Sequence, residues 1–249
     1  MDIADFNKHG EYLERVLRLQ TSPLAVKMLE KDDDIPEEAV RPKRDRGYHL
    51  AQCQTFGLSR RNKDIIVMLK EDNWCPGPLM TYGLVETDET ASGRLKTYDS
   101  FEFGRYIGIL TAPLMTANYM PDLVLVYSNT AQLRSMLWAM SESEQSETET
   151  ALFSWSCYNS IVKPMLTGKY WVVLPDPGEY ERALGTDDEM MFSIPAARFG
   201  KFMEDFTKAQ DGHFSHANIQ PALWPDFPQP EVYKNVFKQW GLDTEPKVD

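Results

Sequence analysis

The chain has no run approaching the roughly 18 consecutive apolar residues that cross a bilayer. Its N-terminus, Met1-Asp-Ile-Ala-Asp-Phe6, lacks the basic stretch and apolar core of an export signal. No membrane partner is expected, and the expected compartment is the cytoplasm. Basic charge is also in short supply: 26 Lys and Arg stand against 38 Asp and Glu, a formal charge of −12. Nucleic-acid surfaces need clustered cations. The one dense basic stretch, Arg41-Pro-Lys-Arg-Asp-Arg46, is short, contains an acid and reads as a solvated loop. There is no phosphate loop, no dinucleotide fingerprint and no nucleophile elbow. No internal repeat of about 20–50 residues is present. Cysteine is scarce, at three residues. An odd count rules out complete pairing within one chain, and a reducing compartment leaves free thiols or metal ligands.

What remains is an ordinary globular composition: 249 residues, 42% hydrophobic and 26% charged. We read it as a single domain, with 141–150, acidic and polar, as an exposed loop and a possible subdivision. Residues 2–20 have the periodicity of an amphipathic helix. Strands are expected at 24–29, 64–70, 121–127 and 170–174. Helices are expected at about 48–58, 78–83, 98–108, 131–140, 195–208 and 231–240, and a helix or tight turn at about 156–162. Strands alternating with helices predict an α/β fold: a mixed central sheet covered by helices, with a helical and irregular C-terminal extension.

The cysteines lie in Ala51-Gln-Cys53-Gln-Thr-Phe56, Asn73-Trp-Cys75-Pro-Gly-Pro78 and Ser154-Trp-Ser-Cys157-Tyr158. They are 22 and 82 residues apart. Soft, anionic thiolates suit zinc and iron–sulfur clusters. Three of them would leave one position open for a substrate. The proline after Cys75 removes an amide hydrogen and stiffens that loop, and Trp74, Trp155, Tyr158 and Phe56 could shield a centre from water. No CxxC pair supports this, and cysteine also packs as a small buried hydrophobe. His49, four residues before Cys53, could share its helix face and act as a base. Glu189 follows Asp187-Asp188 in a cluster that caps the next segment or handles protons. Asn129 and Gln132 follow a strand end, where α/β folds gather ligands. An HxxH spacing at His213 and His216 reads as surface rather than metal site.

Taken together, several motifs resemble a known family. Pro23-Leu-Ala-Val-Lys27, Cys53-Gln54, Cys75-Pro-Gly-Pro78 with Gly83, and Pro121-Asp-Leu-Val-Leu-Val126 with Asn129 and Gln132 are similar to the uncharacterised ArCR family, domain of unknown function 169. Ser156-Cys157, Thr167-Gly-Lys169, Leu174-Pro175 with Gly178, and Asp188-Glu-Met190 with Ile194-Pro195 extend the resemblance over about 20–205. All three cysteines fall inside these motifs, which implies a shared cysteine site. Some members carry another cysteine after the Leu-Pro segment; Asp176 stands in that region here, as an oxygen ligand or beside an open position. The expectation is a [4Fe-4S] cluster on Cys53, Cys75 and Cys157 with one open iron. It would act on a small molecule by lyase, dehydratase or desulfidase-like chemistry, in anaerobic metabolism. Gln54, Asn129 and Gln132 would orient substrate, and His49 or Glu189 would move protons. Two alternatives stand beside it: a metal-free ligand-binding module with structural cysteines, and a cysteine-nucleophile enzyme. A homo-oligomer is compatible with either.

Overall fold

The structure, a computed structural model, describes residues 1–87, 98–152, 155–210, 223 and 229–242, and the backbone alone at 142 and 143. His213 and His216 lie outside the described residues. The chain divides into two compact units, Met1–Ala217 and Asn218–Asp249. The first opens with α1 (Ile3–Leu17), β1 (Leu24–Leu29), α2 (Pro42–Arg46), α3 (Gln52–Asn62), β2 (Ile66–Leu69) and α4 (Pro76–Thr81). It continues with β3 (Gly108–Pro113), β4 (Leu123–Ser128), α5 (Thr130–Ala139), α6 (Glu142–Gln145) and β5 (Thr148–Ala151). A π-helical turn (Tyr158–Val162) runs into α7 (Lys163–Thr167), followed by β6 (Tyr170–Val173), α8 (Pro177–Arg182), β7 (Met190–Pro195) and α9 (Ala196–Gln210). The second unit contains α10 (Glu231–Gln239).

Among the described residues, seven strands form one mixed sheet in the order β2-β3-β1-β4-β7-β6-β5. Among the strand pairs of the described residues, only β5–β6 is parallel. β1 lies between β3 and β4, with Leu24 opposite both Pro113 and Leu125. All six residues of β4, Leu-Val-Leu-Val-Tyr-Ser, are buried. A continuous apolar run is what a strand covered on both faces requires. Its alternate side chains enter different layers. Leu123, Leu125 and Tyr127 join Leu24, Val26 and Met28 against Phe56, Tyr82 and Ile161. Val124 and Val126 join Phe192 and Ile194 against Leu13, Leu17, Phe199 and Phe202. The first layer brings in α3, α4 and the π-helical turn; the second is α1, α5 and α9. The α/β architecture is as the alternation predicts. Among the described residues, no helix is long and apolar enough to cross a membrane.

Three expectations need correction. Residues 98–107 form turns rather than a helix, and Gly108 opens β3. A Cβ on Gly108 would sit 2.4 Å from the Met68 carbonyl oxygen, so the glycine serves a close strand approach. The 141–150 segment is not a loop throughout: it holds α6 and most of β5, which pairs with β6 as the polar edge strand. The basic stretch 42–46 is a short helix with Gly47 left-handed at its end, as such a stop favours.

Candidate functional site

Pairing of two short segments places Cys53 beside Cys75. Leu50 and Asn73 form an isolated parallel bridge, with the Leu50 N–H donating to the Asp72 carbonyl (3.1 Å) and the Trp74 N–H to the Leu50 carbonyl (2.8 Å). Three residues beyond Leu50, Cys53 occupies the first turn of α3; two beyond Asn73, Cys75 precedes α4 and donates its N–H to Asn73 Oδ1 (2.9 Å). Cys53 then packs with Ala51 and Ala183, and Cys75 lies against the same cluster. Ala183 follows α8, which seats closely on α3: a Cβ on Gly57 would stand 2.9 Å from the Ala183 carbonyl oxygen. Cys157 arrives from a third direction. The Tyr82 hydroxyl donates to its carbonyl (3.2 Å), and the neighbouring Ser156 N–H donates to Asp176 Oδ2 (2.8 Å). All three cysteines are free thiols; Cys53 and Cys157 are buried and Cys75 is half-buried.

Burial dominates the electrostatics. It pushes the Cys53 thiol up to about 12, helped by the negative charge of Glu179 and opposed by a hydrogen bond from Arg182. The Cys157 thiol is raised well above its ordinary value by burial first, then by Cys75, Asp176 and Cys53. Cys157 thus lies within electrostatic reach of both other sulfurs. Among the described residues, no three His, Cys, Asp or Glu side chains are arranged to hold a single metal ion.

Beside the thiols stands Glu179, a fully buried carboxyl that the sequence reading passed over. Burial raises it to about 8, Asp176 adds to the rise, and Arg60 with hydrogen bonds from Tyr127 and Ser156 opposes it. Its Oε1 accepts from the Tyr127 hydroxyl (3.1 Å) and the Ser156 hydroxyl (3.3 Å), while Oε2 has no hydrogen-bond partner among the described residues. Arg60 stacks its guanidinium 3.9 Å above the Tyr127 ring. The signal for Glu179 was present as Asp176-Pro-Gly-Glu179, but that spacing reads first as a helix start. Arg182, which touches Cys53, was missed as well.

Most expected polar site residues have structural partners. Gln54 Oε1 accepts the Ala51 N–H (2.9 Å) and caps α3. Asn129 and Gln132 cap α5 reciprocally, and Gln132 Nε2 also donates to the Leu17 (3.0 Å) and Arg18 (3.1 Å) carbonyls at the end of α1. That places the pair with the α1–α5 layer, away from the layer of the cysteines. Glu189 is bound by both terminal guanidinium nitrogens of Arg60 and by the Thr186 N–H (3.0 Å). Asp176 accepts three backbone N–H groups, those of Ser156, Gly178 and Glu179. His49 lies with its ring 5.2 Å from that of Trp74, next to Cys75.

A cleft of about 870 Å³ opens alongside, bordered by Trp155, Pro175, Asp176, Tyr180 and Arg182. A second hollow of about 240 Å³ adjoins Gln54, Gly57 and Arg182. Arg182 is common to both walls.

The uncharacterised ArCR family, domain of unknown function 169, matches residues 12–205, a span that contains all seven strands and all three cysteines. The chain belongs to this family. No curated protein and no solved structure matches it. The ArCR assignment therefore carries membership without a reaction, and chemistry has to be argued from the site itself.

Proposed function

We propose that this ArCR protein is a cytoplasmic iron–sulfur protein. Cys53, Cys75 and Cys157 would hold a [4Fe-4S] cluster with one iron lacking a cysteine ligand. The protein would act on a small molecule by lyase, dehydratase or desulfidase-like chemistry. What supports the reading is that Cys53 and Cys75, from separate segments, pack on one cluster and that Cys157, from a third, lies within electrostatic reach of both. Their softness matches iron and sulfide. A four-iron cube is a larger body than one ion, so it does not need the tight grouping that a single metal would. Thiols raised by burial stay neutral until a metal displaces their protons, so loading would release protons. The first turn of α3 adds backbone N–H groups that favour an anionic sulfur at Cys53.

When bound, the cluster would supply a Lewis-acidic iron. The residues around it have separable tasks. The Glu179 carboxyl holds a proton at neutral pH, anchored at Oε1 and unpartnered at Oε2, so it is the better-placed proton donor than Glu189. Tyr82 pins the Cys157 backbone, and Asp176 pins the backbone of the preceding serine. His49, beside the exposed Trp74, is placed to exchange protons with solvent. Replacing Cys75 with Ser should remove most of the iron and the brown colour from protein purified without oxygen. Unchanged iron in that variant would reject its role as a ligand.

The cleft favours a second reading, a metal-free module that binds a small ligand while the cysteines pack. Colourless protein free of iron, sulfide and zinc would select it. A covalent thiol mechanism, which would use Cys75 or Cys53, fits Cys53 poorly because burial keeps its sulfur protonated, and leaves half-buried Cys75 as its nucleophile.

A further inference from the structure

We propose that the 870 Å³ cleft binds a flat, apolar organic acid of single negative charge, its carboxylate on Arg182 and its ring against Trp155. The size is that of a small-molecule site rather than a surface dimple. Its walls supply apolar and aromatic surface: Trp155, Leu174, Pro175 and Tyr180, with Tyr98 stacked on Trp155 at 4.6 Å between ring centres. Planar ligands gain most from such walls.

Arg182 supplies the polar end. Among the described residues it enters no ion pair, and the partner it does have is the Cys53 sulfur. A guanidinium presents a planar fork that matches a carboxylate. A cation in a cleft wall that forms no ion pair among the described residues stands out in a chain of charge −12. Two acids also border the cleft, Asp176 and Glu181. Asp176 already accepts three backbone N–H groups, which offset its charge. The residual negative field disfavours a ligand with two charges, which limits the class to monoacids. Because Arg182 also reaches Cys53, an acid bound there would lie next to the thiols.

The inference draws on the cleft and not on iron, so this test and the iron assay can fail separately. Calorimetric titration of the full-length chain with 1-naphthoate and with its uncharged amide, 1-naphthamide, tests it. The acid should bind the wild-type chain about tenfold more tightly than the amide, the usual order for one charge-assisted hydrogen-bonding pair at a partly exposed site. Arg182→Gln should bring acid and amide to about the same affinity, with a circular dichroism spectrum and urea midpoint like the wild type's reporting that the fold is intact. Arg182→Lys should retain part of it. Equal binding of acid and amide by the wild-type chain, an undiminished preference in Arg182→Gln, or no binding of the acid at all would each overturn the proposal.

Discussion

Glu179 shows how position alone can change what a side chain does. In water its carboxyl would be ionised at neutral pH, near the ordinary value of 4.5. Enclosed by Tyr127, Ser156 and the cysteine layer, it keeps its proton to about pH 8. Between those values the folded chain binds a proton that the unfolded chain has released, so stability falls as pH rises. Glu179→Gln removes the titration. Urea melts of iron-free protein at pH 5 and pH 8 should therefore show the wild type losing more stability than the variant over that interval. Parallel losses would mean that the carboxyl is not held neutral. Cys53, Cys75 and Cys157 stood out in the sequence because sulfur chemistry narrows their uses to few. For Gln54, Asn129 and Gln132 the sequence left two uses open, because amides cap helices and bind ligands with the same atoms; the tertiary contacts show capping.

Strands with long apolar runs, β1, β4 and β6, could be read from the sequence because both faces of the sheet are covered. β3 could not: it follows aromatic residues at helix-like spacing, and its first residue is a glycine required by the approach of Met68. β5 is polar and exposed at the sheet edge, so its Thr-Glu-Thr-Ala run resembles a loop until β6 pairs with it. The same logic governs the site, which depends on helix contacts more than on local motifs. Gly57 lets α3 and α8 approach, and this contact sets Cys53 against Ala183. Gly57→Ala puts a methyl against a backbone oxygen that cannot rotate away. It should cost about 1–3 kcal/mol of stability, measured by urea denaturation. It should also lower iron retention by separating α8 from Cys53. Full stability with full iron content would show that the α3–α8 contact does not shape the site.

Across the first unit, the two faces of the sheet have different duties. One buries an aromatic-rich layer under α1, α5 and α9. The other gathers the segments that carry sulfur, with Glu179 and Arg182 among them and a cleft alongside. Residues 12–205 of the ArCR match span the whole sheet, the three cysteines, Glu179 and Arg182, and parts of α1 and α9. The claim on which the functional account rests is that the gathered thiols coordinate iron and sulfide together. The direct test is the iron and acid-labile sulfide content of wild-type chain purified without oxygen, read with its visible absorption. The account predicts a brown protein with about four of each per chain, as the cluster formula requires. A colourless, well-folded protein containing neither would contradict it.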